Sequence, residues 1–364
     1  MSSNLITQSS SETSRPAKVL NNFKTSLCIP SSAISHANAS NLQHITHVAY
    51  QIAKAAISFN VSEIVVLEVP DKTEQLENGE SEFCVVQGNQ GNQKIKFDNS
   101  TEERAQSVRP EETGTSSSAK NENSALLLAS LLQYFVTPKY LVQSVFRANP
   151  CRAKFIYAEK LPKISTLPFM RSNAMGGAYK EGFTVSKKAP KVRKRNKKVS
   201  AVKKLKVTKY VNVGGSRLVE LSGPEVPINV RVTVDMKNKK VVSPEQAYGT
   251  SGCKASFGYH VRIAKTITSV FTELSYSEGY TESIFVNADN YFKGSPLTQL
   301  PRKSGEWRGQ NLIVIANLRD LKYVFEQESI EGVDSITEMF DAEMAVPAGL
   351  RIEDAAFVSM AMLV

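Results

Sequence analysis

Apolar residues along the chain fall into short runs with two spacings. Ser26–Pro30 reads as a short buried strand. Leu42, Ile45, Val48, Ala49, Ile52, Ala53, Ala56 and Ile57 then recur at three- and four-residue intervals, the stripe of an amphipathic helix that Asn38 or Ser40 can cap. Glu63–Leu67 is a β-branched run short enough to be a strand buried on both faces. Strand, helix and strand in this order predict a βαβ unit, with parallel strands and a right-handed crossover.

From 72 to 123 the pattern lapses. This stretch is rich in Glu, Gln, Asn, Ser and Gly, and too few large apolar residues remain to offset the entropy of ordering it. It reads as a disordered insertion within one domain. Ser124 is a plausible N-cap for an apolar helix over Leu126–Phe135, and a second short helix is expected over Lys139–Phe146. Residues 150–180 read as loop, with prolines at 150, 162 and 168.

A β-rich stretch follows. Leu205–Val213 and Arg217–Leu221 are expected strands. Along Ile228–Val234, Ile, Val, Val and Val alternate with Asn, Arg and Thr. Gly214-Gly215 and Ser222-Gly223-Pro224 mark turns. Several short strands in about fifty residues suit a small OB-like barrel. The α/β rhythm then returns. Strands are expected at the start of Gly258–Phe271, at Ser283–Val286, at Asn311–Ile315 and within Ile336–Met344. Helices are expected at the end of Gly258–Phe271, over Leu318–Glu328 and over Arg351–Met362. The β-rich piece therefore interrupts an α/β domain. The expected organisation is a tail over 1–23, a discontinuous domain over 24–185 and 241–364, and an insertion over 186–240.

Charge sharpens this picture. The formal net charge is +10, and Lys187, Lys188, Lys191, Arg193, Lys194, Arg195, Lys197, Lys198, Lys203, Lys204, Lys206 and Lys209 stand in one block without an acid among them. Without these twelve cations the rest of the chain is at −2. A near-neutral body with one concentrated basic arm points to a polyanion, and the block is read as the RNA-binding element. The same run could serve as a nuclear import signal. The four cysteines are widely spaced with no CxxC pair, so neither a metal site nor a disulfide framework is expected. Ala125–Val136, the longest apolar stretch, is too short to span a bilayer, and no membrane association is expected.

GxSxG, P-loop, HExxH and strand-linked GxGxxG motifs are absent. What the chain does carry is an order of segments. Leu27-Cys28-Ile29-Pro30-Ser31-Ser32, Tyr50-Gln51-Ile52-Ala53-Lys54-Ala55 and Ser62-Glu63-Ile64-Val65-Val66 come first. Ala129–Phe135 with Pro138-Lys139-Tyr140-Leu141 come next, then Lys240-Val241-Val242-Ser243 and Gly258-Tyr259-His260-Val261-Arg262. In order and spacing these resemble the archaeal and eukaryotic SPOUT RNA methyltransferases that carry an inserted OB-like domain. The similarity covers roughly 24–70, 124–185 and 240–364.

The resemblance implies an α/β fold with a parallel sheet, a C-terminal trefoil knot and a small OB-like β-barrel insertion. It implies S-adenosylmethionine bound in the knot loops, RNA as substrate, with ribosomal RNA or its precursor in ribosome biogenesis as the expected target, and a nuclear, nucleolar location. It also implies a homodimer, or a heterodimer with a paralogous subunit. By position, Asn287, Ile315, Ala316, Asn317, Leu318, Val346, Ala348, Gly349 and Leu350 would line the cofactor, and Arg262 and Arg351 would be the catalytic cations. Asp289 and Glu353 are possible proton acceptors. This chain departs from the family in its loops. Asn287–Asn290 and Ala316–Asp320 contain no glycine, and Ala345–Arg351 contains one. A Cβ where the backbone should approach a cofactor costs room. That departure keeps a second reading open: an RNA-binding assembly factor with a degenerate pocket, paired with an active paralogue.

Overall fold

A computed structural model of the chain describes residues 23–70, 123–170, 178–186, 206–249, 257–274, 278–290, 300–328, 330 and 332–363, together with the backbone at 85–86, 94–95, 192–194 and 197–199. The expectations for the tail over 1–22 and for most of 72–123 lie outside the described residues.

The chain opens with β1 (Lys24–Pro30), α1 (Leu42–Ser58), β2 (Glu63–Leu67) and α2 (Ser124–Phe135). An inserted unit contributes β3 (Tyr179–Thr184), β4 (Tyr210–Asn212), β5 (Val219–Glu220), β6 (Arg231–Asp235) and β7 (Lys240–Val242). The chain then adds β8 (His260–Ala264), α3 (Ile267–Thr272), β9 (Glu282–Asn287), β10 (Gln310–Ala316), α4 (Leu318–Glu328), β11 (Ala342–Glu343) and α5 (Ile352–Ala361).

Six strands form one parallel sheet in the order β8-β2-β1-β10-β9-β11. Both faces are covered, which is why the middles of β1, β2, β9 and β10 are continuous apolar runs. Leu27, Ile29, Ile64, Val66, Ile284, Ile313 and Ile315 point toward α1, α2 and α5. Cys28, Val65, Phe285, Leu312 and Val314 point toward α3 and α4. Each fully buried aliphatic side chain contributes about 1.5–3 kcal/mol, so β1 and β10 anchor the domain.

Helix starts differ from expectation by a residue or more. Asn41, rather than Asn38 or Ser40, caps α1, its Oδ1 accepting from the His44 N–H at 2.8 Å. Asn123, rather than Ser124, caps α2 in the same way through the Leu126 N–H at 2.8 Å. Asn38 turns its amide instead to the Ser32 carbonyl at 2.8 Å.

The inserted unit is an antiparallel sheet in the order β5-β4-β3-β6-β7, with Val207–Thr208 pairing separately to Val226–Pro227. The Ser222 N–H donates to the Lys239 carbonyl at 2.9 Å and ties together the chain beyond the two edge strands. The expected boundary at 186 falls too late. Tyr179–Thr184, whose first two residues fall in the stretch read as loop, is the central strand of this sheet, and the unit runs on through Val242. Its small core holds Val211, Val213, Leu221, Val232 and Val234.

The polar face of β6 is not solvated. Thr233 is fully buried, and the Arg231 guanidinium is driven into the junction with the parallel domain. There Arg231 Nε donates to Glu181 Oε2 at 3.1 Å and Nη1 to the Val136 carbonyl at 2.8 Å. Its charge also lies over the Phe169 and Phe257 rings, at 4.6 and 4.9 Å. Burial pulls the Arg231 pKa below its ordinary value, and the Glu181 carboxylate opposes that pull. Asn212 Nδ2 reaches Ser144 Oγ at 2.7 Å across the same seam. Gly214, at φ +80°, lies so close to the Tyr140 ring that a Cβ would collide with it.

Of the basic block, Arg193, Lys194, Lys197 and Lys198 lie on a two-stranded antiparallel ribbon, Val192–Lys194 with Lys197–Val199. Lys206 is exposed and Lys209 half-buried. Lys187, Lys188, Lys191, Arg195, Lys203 and Lys204 lie outside the described residues.

Candidate active site

Parallel strands all end on the same edge of their sheet, and in open α/β sheets that edge is where ligands bind. Here β9, β10 and β11 are neighbours, and their following loops, 287–290, 316–320 and 344–351, meet. Backbone hydrogen bonds join them. The Ala288 N–H donates to the Ala316 carbonyl at 3.0 Å, the Asp289 N–H to the Leu350 carbonyl at 2.8 Å, and the Met344 N–H to the Phe285 carbonyl at 2.9 Å.

Asn317 does two jobs at this meeting point. Its Oδ1 accepts from the Arg319 N–H at 2.9 Å, closing the first turn of α4, and its Nδ2 donates to the Asp289 carbonyl at 2.8 Å. Asp289 takes the left-handed turn at φ +54°, a conformation that short polar side chains tolerate better than others. The chain thus makes here, without glycine, a turn that glycine would ordinarily make. Gly349 makes the corresponding left-handed turn in the last loop, at φ +78°.

The loop after β1 closes the other side. Ser32 Oγ donates to Asp320 Oδ2 at 2.6 Å. Arg351, preceding α5, donates from Nη2 to the Asn38 carbonyl at 2.8 Å and from Nε to Glu353 Oε1 at 2.7 Å. The Arg351 side chain is a third exposed, whereas that of Glu353 is almost buried. Asn290 Oδ1 is buried and has no hydrogen-bond partner among the described residues. Such an acceptor is costly to leave unpaired and stands ready for a donor from a ligand.

The residues expected at the cofactor divide into two groups. Asn287, Asn317, Val346, Gly349 and Leu350 are partly buried in the meeting loops, and Ala348 is exposed there. Ile315, Ala316 and Leu318 are not lining side chains: Ile315 and Ala316 are fully buried and Leu318 is 2% exposed, in the cores on the two faces of the sheet. Only their backbone can face a ligand.

Arg262 does not belong to the site. It lies mid-strand on β8, at the far edge of the sheet. Four strand spacings, about 19 Å, separate that strand from β9. Its guanidinium is engaged by Glu63 Oε1 at 3.0 Å, the Ser269 carbonyl at 3.1 Å and the Val270 carbonyl at 2.7 Å, where it locks α3 to the sheet. Ser32, Asn38 and Asn290 were not foreseen as site residues. Only the polar run after β1 hinted at the first.

No cluster of metal-ligating side chains occurs among the described residues, and none of the described helices is long and apolar enough to cross a membrane.

Comparison with known proteins gives this edge a context. Residues 24–363 match the model of a family described as "Putative RNA methyltransferase". A Saccharomyces cerevisiae protein named as a "Putative methyltransferase" is 35% identical over 327 residues, 88% of this chain and 87% of that protein. A second yeast protein of the same description is 30% identical over 344 residues, 91% of this chain and 83% of its own length. The human 28S rRNA (uridine-N(3))-methyltransferase is 25% identical over 350 residues, 94% of this chain and 78% of that enzyme.

Proposed function

The chain belongs to this RNA methyltransferase family, and from that premise we propose that it transfers a methyl group from S-adenosylmethionine to structured ribosomal RNA or its precursor during ribosome biogenesis. The observation that carries the reading is the convergence of loops 287–290, 316–320 and 344–351 at the carboxyl ends of three adjacent parallel strands. As its name states, the human relative methylates uridine N3 of 28S rRNA, and the same atom is our choice of target for this chain.

The residues present fit the cofactor. Asn290 Oδ1 is a buried acceptor without a donor among the described residues, and left-handed turns at Asp289 and Gly349 shape two of the loops. Asn287, Asn290 and the 346–350 backbone would hold it. When bound, it supplies an electrophilic methyl group on sulfur. The chain's own part is to orient and to move a proton. Arg351, fixed by Asn38 and partly exposed, is the cation placed to hold an RNA phosphate. Glu353, oriented by Arg351 Nε, is the carboxylate placed to take the imide proton as the base nitrogen becomes the nucleophile.

The trefoil knot belongs to this proposal. It is supported by the Asp289–Leu350 backbone bond, which lays the last loop against the one after β9, and by the packing of α5 back onto α1. The OB-like reading of the insertion is supported by its five antiparallel strands and the Ser222–Lys239 tie. A dimer is supported by Phe357 on α5 and Met362 at its C-cap, which are 46% and 55% exposed. The partner is a second copy or a paralogue, and a nucleolar location goes with the precursor RNA.

One observation favours a second reading, that of a non-catalytic partner of an active paralogue. Ile315, Ala316 and Leu318 are closed into the core, and glycine is missing from two of the three loops. Calorimetric titration with S-adenosylmethionine, followed by transfer of labelled methyl to a ribosomal RNA transcript, decides between them. Micromolar binding with transfer establishes the enzyme. Absence of binding by the chain alone selects the scaffold.

A further inference from the structure

A cleft of about 600 Å³ opens between the parallel domain and the inserted sheet, and no residue of loops 287–290, 316–320 or 344–351 lines it. Phe169, Tyr179 and Tyr248 line it as a group of rings, with Tyr248 in the middle. Its ring centroid lies 6.1 Å from that of Phe169 and 6.5 Å from that of Tyr179. The Tyr248 hydroxyl donates to Glu181 Oε1 at 2.9 Å, so the central ring is pinned to a carboxylate buried in the domain junction. All three rings are only partly buried. Lys139, Lys163 and Lys180 line the same cleft and are exposed, opposed by the exposed carboxylate of Glu159. The second lining carboxylate, Glu181, is matched internally by Arg231.

We propose that this cleft holds one unpaired nucleotide of the substrate RNA, distinct from the nucleotide that is methylated, with its base among the three rings and its phosphate on the lysines. Every base has a π-face, so an aromatic cluster beside cations is the arrangement that binds single strands without regard to sequence. The size is that of a small-molecule site. Continuity with the basic block argues for RNA over a free metabolite. Lys206 and Lys209 lead into β4, which pairs with β3 at Phe183 and Thr184, and the other end of β3 carries Tyr179 and Lys180 into the cleft. The inserted unit would then act as a clamp whose lower jaw is the parallel domain. This inference rests on the reading of the chain as an RNA-binding methyltransferase.

The test uses the full chain and a ten-nucleotide oligouridine carrying a single 2-aminopurine, with a blunt RNA duplex as reference. Binding of the single strand should quench the 2-aminopurine. Tyr179→Ala should abolish the quenching and weaken single-strand binding about tenfold, within the range for loss of one stacked base. Duplex affinity and thermal stability should stay as they were. The paired substitution Lys139→Gln with Lys180→Gln, on exposed side chains, should weaken the same binding and flatten its salt dependence. Binding of the oligonucleotide with no quenching, or quenching and affinity unchanged in Tyr179→Ala, overturns the cleft while leaving the RNA reading intact. Failure of both single strand and duplex to bind overturns both.

Discussion

Glu181 is the residue whose charge the domain junction depends on most. Its side chain is fully buried and accepts from Thr233 Oγ1 at 2.8 Å, Tyr248 OH at 2.9 Å and Arg231 Nε at 3.1 Å. Glu181→Gln preserves the shape but sets an amide donor against the Arg231 donors. It also leaves a cation in the junction whose Nη2 already has no hydrogen-bond partner. Breaking one side of a buried ion pair costs about 3–5 kcal/mol. At about 2–4 °C per kcal/mol, the melting temperature should fall by an amount on the order of 10 °C. Removing both charges, as Glu181→Gln with Arg231→Met, should cost at least about 2 kcal/mol less than the sum of the single changes, because neither leaves the other stranded. Urea denaturation followed by circular dichroism measures all three variants. A loss under about 1 kcal/mol for the single substitution, or strict additivity in the double, would refute the coupling.

The two arginines should separate cleanly. Arg262→Ala removes the cation paired with the buried Glu63 carboxylate and should cost about 3–5 kcal/mol of stability, whereas Arg351→Ala, at a side chain that is a third exposed, should cost less stability and reduce methyl transfer; the reverse pattern would move the site to the other edge of the sheet. Phe357→Asp should convert the proposed dimer to a monomer in light scattering, and a variant that stays dimeric would place the interface elsewhere. Burial pushes the Cys28 thiol from 9.0 up to about 12. The unfolded chain therefore releases this proton above pH 9 while the folded chain keeps it. The contribution to stability is whole below pH 9 and is lost as pH rises toward 12, which alkaline denaturation of Cys28→Ala against the parent chain will show as a shallower slope. Replacing the twelve cations between 187 and 209 with Ser or Gln should weaken RNA binding strongly and reduce the salt slope by about 0.7 for each single-strand phosphate that the arm no longer neutralises; an unchanged slope would put the RNA elsewhere.

Much of the parallel domain was legible because its strands are buried on both faces. The apolar runs at Glu63–Leu67 and Asn311–Ile315 and the stripe of α1 need no partner to be recognised, and they lie where expected. Tyr179–Thr184 was not legible. Its sequence, Tyr-Lys-Glu-Gly-Phe-Thr, places a carboxylate at a buried position, and Arg231, Thr233 and Tyr248, fifty residues or more on, make that burial tolerable. The alternation along β6 was legible, but not that Arg231 and Thr233 meet Glu181 rather than water. At the candidate site, the chain order gave the three loops but not their interior. Ser32 meets Asp320 across 288 residues, and Arg351 meets Asn38 across 313, pairings that no local pattern encodes. Missing glycines suggested a blocked pocket, yet Asp289 shows that a left-handed turn was kept by other means.

The parallel sheet sets a timetable for the chain's birth. Leu27 of β1 lies beside Ile313 of β10, and Lys24 beside Gln310, so the central pair joins segments 286 residues apart. At about 5–20 residues per second of synthesis, the first strand leaves the ribosome roughly 14–57 s before its neighbour exists. Through that interval β1 has β2 on one side and an unfilled edge on the other, and the apolar side chains of α1 that will meet α5 stay wet. The inserted sheet has all five of its strands midway along the chain and can form while the synthesis of its host is unfinished. The nascent protein is thus a finished small module on an open, sticky half-sheet, and the arrival of the segment from β10 to α5 makes it whole.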